Sequence, residues 1–356
     1  MGSELWKDFI AGNDARIVTA FNEAGSSIIG KTKTAEFAVH ALPDVLNPWD
    51  KDLNPGTSST GSAVCVLTGD VPVSLGTQTA GSISRPASFC GVIGVKPTFG
   101  VFPRTGVLKT CDPFDTVGYF CSHYEDVGLI FDSVRLKGSN YPLIEEGLES
   151  IADSLDKGNL RVARVITDSN THEDPSITQQ FESFCNTLPK NYKLETLDLK
   201  DSLSEARQIH EEIYHKSLSY YFSEERKKGI NYSKIMQEIF NDGDKISSEL
   251  FIKRLSQLAE IRVNISHQFS KFDLLISPTT STYALPRDQV EVIDSSLYWT
   301  MLHLPLVSLP IFQHPTSGLP AGLQVVGARQ YSEVMLFRFL KDLGLLSEKI
   351  KKPPGR

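Results

Sequence analysis

The chain has 356 residues, with 36 basic and 43 acidic side chains, a formal charge of -7 and 40% hydrophobic residues. That length is more than a small stapled fold needs and can bury a large core, so one big α/β domain or two ordinary ones are expected. The acidic balance argues against a nucleic-acid footprint, and the basic end from Lys349 to Arg356, broken by Pro353 and Pro354, reads as a solvated tail.

In chain order, Asn13 to Ala24 spaces Ile17, Val18, Ala20 and Phe21 as an amphipathic helix, with Asn13-Asp14 available to cap its start and Gly25 to end it. Ser27-Ile-Ile-Gly-Lys-Thr reads as a short buried strand running into a turn. Gly25 to Thr32 also matches the phosphate-loop spacing, but that motif needs a strand before its first glycine and a helix straight after its lysine, and here the order is reversed.

Two clusters of small residues follow, Gly56 to Ser62 and Gly76 to Ser84, flanking the apolar run Ala63 to Leu67. Val64 to Leu67 is expected as the body of a helix that starts in the first cluster and turns its first amides toward a pocket. Val71 to Leu75 reads as a strand, Gly76 to Gly81 as a backbone-lined loop, Phe89 to Val95 as another strand, and Val127 to Val134 has helical period. From there to about Glu260 the chain is richer in charge and poorer in glycine. This stretch predicts strands at Leu160 to Ile166 and Tyr192 to Leu197, and helices near Ser176 to Leu188, Ser202 to Phe222 and Ser247 to Phe269. Strands are expected at Phe272 to Ser277, Leu304 to Ile311 and Gly322 to Val326, the last two split by the turn Pro315 to Pro320. Strand and helix alternate without an internal repeat, which argues α/β.

Five cysteines, at 65, 90, 111, 121 and 185, include no Cys-x-x-Cys pair, so neither a disulfide framework nor a zinc site is indicated. Free thiols imply a reducing compartment, and the sequence offers neither a leader-like start nor a run of membrane-spanning length, so a cytoplasmic protein without membrane contact is expected. No cofactor is called for.

A serine hydroxyl is inert at neutral pH unless something accepts its proton, so Ser58, Ser59, Ser62, Ser82 and Ser84 each need a base nearby. Ser82 stands out because it follows Thr79-Ala80-Gly81, whose amides can converge on an anionic oxygen. A lone Gly-Ser is ordinarily a turn, and the pairing of two such loops is what raises Ser82 above that.

Gly56-Thr-Ser-Ser-Thr-Gly-Ser-Ala, Gly76-Thr-Gln-Thr-Ala-Gly-Ser-Ile-Ser-Arg-Pro-Ala and Gly91-Val-Ile-Gly-Val-Lys-Pro-Thr together resemble the amidase signature family. Further segments similar to the family follow its order: Gly30-Lys-Thr-Lys-Thr-Ala-Glu-Phe, Asn47-Pro-Trp-Asp, Asp115-Thr-Val-Gly, Leu275-Ile-Ser-Pro-Thr and Gly318-Leu-Pro-Ala-Gly-Leu-Gln-Val-Val-Gly. The resemblance runs from about Gly12 to Lys341 and accounts for Gly30-Lys-Thr without any nucleotide.

The resemblance implies one amidase-like domain over residues 1–356, an α/β fold with a large twisted mixed β-sheet sandwiched between α-helices, and a more helical, charged region at 135–270. It implies hydrolysis of a small-molecule carboxamide by a Ser-Ser-Lys triad: Ser82 attacks, Ser58, held by a cis peptide, relays the proton, and the amides of Thr79, Ala80, Gly81 and Ser82 form the oxyanion hole. Arg85, with its planar donor fork, is expected to anchor the nucleophile loop on backbone carbonyls. The acyl pocket is expected from the middle helical region and the segments near Tyr283 and Tyr298 to Leu304.

The sequence departs from the family's pattern at the base. The family's lysine lies in an apolar strand ending Lys-Asp, upstream of the part that Met1 to Trp6 occupies, so Met1 is expected to be an internal start and the base to be missing. Lys31 is the substitute available by type, and His40, His123 and His303 carry no Asp or Ser motif around them. Gln78 and Ala80 replace an acidic residue and a glycine, as subfamily variation. A homo-oligomer or a second chain supplying the missing strand would complete such an enzyme. The alternative is a catalytically silent amidase-like protein that binds a small amide or a partner.

Overall fold

A computed structural model of the protein describes residues 1–154, 160–228, 232–289 and 294–354. The first part contains α1 (Arg16–Glu23), α2 (Thr60–Thr68), β1 (Val73–Gln78), α3 (Ser84–Cys90), β2 (Ile93–Lys96) and β3 (Thr116–Cys121). Next come α4 (Asp126–Val134), α5 (Pro142–Ser154), β4 (Arg161–Ile166), α6 (Pro175–Thr187) and β5 (Lys193–Asp198). The helical stretch α7 (Ala206–Tyr221), α8 (Ser223–Arg226), α9 (Lys234–Lys245) and α10 (Ser248–Phe269) leads to β6 (Leu274–Pro278). The chain then runs through α11 (Ser296–Met301), β7 (Leu306–Gln313), β8 (Pro320–Gly327) and α12 (Glu333–Asp342).

The strands form one sheet in the order β1-β3-β2-β7-β8-β6-β4-β5. β4 pairs parallel with both β5 and β6, whereas the remaining neighbours are antiparallel, giving the mixed α/β sheet the sequence implied. Side chains alternate across a strand, so Leu274 and Ile276 enter one buried cluster and Leu275 the other. The two clusters are the two faces of the sheet, each covered by helices. Burying apolar surface on both faces fixes the sheet as a middle layer.

Four local expectations are corrected. Ile28 and Ile29 form no strand and are 50% and 73% exposed. The segment after them is held instead by the Gly61 amide on the Lys33 carbonyl and the Ala35 amide on the Ser58 carbonyl, which leaves the isoleucine pair no strand to join. The same bond spends one of the first α2 amides on the Lys33 carbonyl rather than leaving it for a pocket. Neither Asn13 nor Asp14 caps α1; Ala15 is its N-cap, and the Arg16 amide donates to Thr105 at 2.9 Å. Phe89 belongs to α3, which Gly91 ends in the left-handed conformation before β2 begins.

Three glycines explain how the loop carrying Ser82 settles on the sheet. Gly76 on β1 sits opposite Gly118 on β3, and Gly94 lies on β2 next to them. A Cβ would meet Ile83 at 3.3 Å from Gly76, 2.8 Å from Gly118 and 3.2 Å from Gly94. The side chain directly after Ser82 therefore rests on a floor that only glycine leaves open. A Cβ at Gly118 would also overlap the Val95 carbonyl oxygen of the neighbouring strand. Gly118→Ala is expected to destabilise the fold by about 3 kcal/mol, because backbone rather than a flexible side chain must move. Urea unfolding measures this, and an unchanged midpoint would show that β2 and β3 can part without cost.

Candidate active site

The two small-residue loops meet through their main chains, with the Ser59 amide donating to the Ser82 carbonyl at 3.3 Å. Ser59 also ties its loop to β1, its hydroxyl accepting from the Thr77 amide and donating to the Thr77 carbonyl, both at 3.2 Å. The Ser58 carbonyl accepts from the Ala35 amide at 3.2 Å and the Thr34 hydroxyl at 3.1 Å, and the Thr57–Ser58 peptide is cis. Ser58 Oγ is buried and has no hydrogen-bond partner among the described residues. A hydrogen bond from Ser58 to Ser82 is therefore not formed here. Ser82 keeps 7% of its surface exposed and Ser58 1%.

Every carbonyl from Thr79 to Ser82 is engaged from a different element. Thr79 O receives His210 Nε2 of α7 at 2.9 Å, and Ala80 O receives the Thr300 hydroxyl of α11 at 2.8 Å. Gly81 O receives the Arg85 amide of α3 at 2.9 Å, and Ser82 O receives the Ser59 amide. A trans peptide is planar with its N–H opposed to its C=O, so these bonds direct the amides of Ala80, Gly81 and Ser82 the other way. None of the amides of Thr79, Ala80, Gly81 or Ser82 donates to an acceptor among the described residues. Such a group of unspent donors on a nearly buried loop can receive an anionic oxygen.

Side chains hold the loop from behind. Gln78 Oε1 accepts from the amides of Ile83 and Ser84 at 2.8 and 2.9 Å, and Gln78 Nε2 donates to Thr300 at 3.0 Å. The Thr79 hydroxyl donates to Asp115 at 2.6 Å, and burial pushes that carboxyl above its ordinary range. The Arg85 fork closes on the carboxylate of Asp294 at 2.7 and 2.9 Å, a charged partner where backbone carbonyls were expected. That pair lies against Gly81, whose Cβ would meet Arg85 Nη2 at 2.9 Å and Asp294 at 3.1 Å. Local sequence could not flag His210, Thr300 or Asp294, because each lies more than a hundred residues from the loop it touches.

The other basic candidates lie elsewhere. Lys31 is exposed, no strand precedes Gly25 and no helix begins at Lys31, so the nucleotide-loop reading falls. Burial lowers the pKa of Lys96 to about 7, but its ammonium nitrogen faces the carbonyls of Leu304 at 2.5 Å and Pro97 at 3.1 Å. His123 lies within 2.9 Å of the Ser122 hydroxyl, while His303 stacks on Phe99 and sits 2.7 Å from the Pro113 carbonyl. A cavity of about 650 Å³ is walled by Thr34, Thr77, Thr110 and Asp115 among others, but by neither serine, nor by Tyr283 or Tyr298. It flanks the loop on its Asp115 side. Among the described residues no cluster of His, Cys, Asp and Glu could hold a metal, and no helix is long and apolar enough to cross a membrane.

A family model described as Amidase matches residues 1–337. The chain belongs to the Amidase family. Among its relatives, a glutamyl-tRNA(Gln) amidotransferase subunit of Natranaerobius thermophilus is 27% identical over 91% of this chain and 74% of that protein. The solved glutamyl-tRNA(Gln) amidotransferase subunit of Thermotoga maritima superposes with a TM-score of 0.77 at 24% identity, covering 95% of this chain and 77% of that one. A 6-aminohexanoate cyclic dimer hydrolase superposes with a TM-score of 0.81 at 21% identity, covering 99% and 82%. These likenesses agree with the sheet described above.

In this member of the amidase family, His210 has a pKa lowered by burial from 6.5 to about 4. The unfolded chain takes up a proton below 6.5 that the folded protein refuses until about 4, so stability falls as pH drops through that window. Between about pH 7 and about pH 5 the wild type is expected to lose roughly 2 kcal/mol more than His210→Gln, which has no such proton to refuse. Denaturant titrations at both pH values read the difference, and equal losses would mean that His210 is not kept neutral by its surroundings.

Proposed function

We propose that this chain hydrolyses a small-molecule carboxamide through an acyl-enzyme on Ser82. The observation that carries the reading is the row of undonated amides beside Ser82, with every carbonyl of the loop held by a donor from another element. A base accepts the Ser58 proton, Ser58 accepts that of Ser82, and Ser82 Oγ bonds to the carbonyl carbon while the π electrons move to oxygen. The amides of Ala80, Gly81 and Ser82, with that of Thr79 at the loop's start, hold this oxyanion. Collapse breaks the C–N bond, and the amine leaves with the proton returned through Ser58. Water then attacks the ester by the same path and restores Ser82.

The base belongs to a strand outside the described residues. Among the described residues Ser58 Oγ has no partner, and β1 is an edge of the sheet. Ser59 covers Thr77 on that edge, while strand alternation turns the main-chain groups of Leu75 and Val73 the same way, with no partner outside the ladder among the described residues. A strand paired there would bring a lysine toward Ser58, and burial would keep that lysine neutral. The relatives named as amidotransferase subunits make a second chain a natural source for it.

An alkyl fluorophosphonate tests this reading. Ser82 is expected to be phosphonylated, Ser82→Ala to abolish labelling, and fusing an apolar strand ending in Lys-Asp ahead of Met1 to raise the rate roughly a hundredfold. No labelling with or without that strand would replace the enzyme by a catalytically silent amidase-like binding protein.

A further inference from the structure

We infer that His210 is a positioning residue for the oxyanion site: by holding the Thr79 carbonyl it aims the Ala80 amide at the reacting oxygen. The inference rests on the oxyanion role proposed above. It names a part of that site contributed by the helical region, 131 residues from Thr79 along the chain.

A carbonyl oxygen only accepts, so the 2.9 Å contact requires the proton on His210 Nε2. The ring is 3% exposed and lies on Phe114 with 4.7 Å between ring centres and 14° between planes, so its direction is set by packing. Burial keeps it neutral near neutral pH. From the other side, the Thr79 hydroxyl is bonded to Asp115 at 2.6 Å and lies 3.2 Å from that of Thr110. Thr79 is thus gripped at its side chain and at its carbonyl, and the peptide plane between Thr79 and Ala80 cannot turn while both grips hold. Rotating that plane would carry the Ala80 N–H away from where negative charge develops. A donor preorganised in this way costs no reorientation during the reaction.

Two substitutions of similar shape separate this role from packing. His210→Gln keeps an N–H where Nε2 lies, and His210→Met fills the space without a donor. With a fluorophosphonate, His210→Met is expected to lower the maximal phosphonylation rate of Ser82 by roughly tenfold to a hundredfold. The half-saturating probe concentration should stay within about threefold, since His210 acts on the peptide plane and not on the probe. His210→Gln should restore most of the lost rate, and equal maximal rates in the two variants would overturn the inference. Crystal structures of both variants give a readout independent of reactivity. The Thr79–Ala80 peptide should keep its plane with Gln and turn with Met, and an unturned peptide in His210→Met would overturn the inference even if no variant reacts. If the wild type stays unlabelled both with and without the added strand, the amidase reading is what fails, and the peptide plane alone decides the role of His210.

Discussion

The structure depends on one constraint of peptide geometry. Because the N–H and C=O of a trans peptide point in opposite directions, a loop can gather amides on one side only if its carbonyls are satisfied on the other. Here four consecutive carbonyls find donors from α7, α11, α3 and the loop before α2. The arrangement is a property of the whole fold rather than of the Gly-Ser segment. Gly81 is part of the same constraint, since a side chain there would collide with the Arg85–Asp294 pair that braces the loop.

The sheet supplies the rigid base for that assembly. Its two faces carry separate buried clusters, and the glycines of β1, β3 and β2 let Ile83 approach closely enough to pin the loop. The two edges of the sheet differ. β5 carries Lys193, Glu195 and Asp198 on an exposed strand, charges of the kind that discourage further pairing. β1 reads Val73-Ser-Leu-Gly-Thr-Gln, with no charge, and the Ser59 hydroxyl bonds the main chain of Thr77 on its free side. An uncharged edge beside the serines is suited to accept a strand, whereas the opposite edge is suited to refuse one.

What the sequence made legible follows from what is local. Two small-residue clusters around an apolar run announced close backbone approach, and helices such as α4 and α10 followed from periodicity. The Ile28-Ile29 pair misled because two apolar residues do not fix a strand unless a neighbour offers hydrogen bonds, and the chain beside them bonds to Ser58 and Gly61 instead. α11 escaped notice because its six residues are all buried and so carry no amphipathic period. His210 and Thr300 could not be read at all: each acts on a carbonyl brought near only by the folded sheet.

In the proposed mechanism Ser58 separates the two halves of the chemistry. A buried hydroxyl without a partner forgoes hydrogen bonding that water would have supplied, at a cost of about 1–3 kcal/mol, and only an incoming group can recover it. The amides of Ala80 and Gly81 are unspent too, but they are aimed by groups already in place. On the proposed mechanism, stabilising negative charge would fall to the described fold and moving a proton to whatever meets Ser58. On this division the loop can bind a tetrahedral anion before any base arrives. The base would then change how fast Ser82 reacts, while the geometry it reacts in stays as the chain has set it.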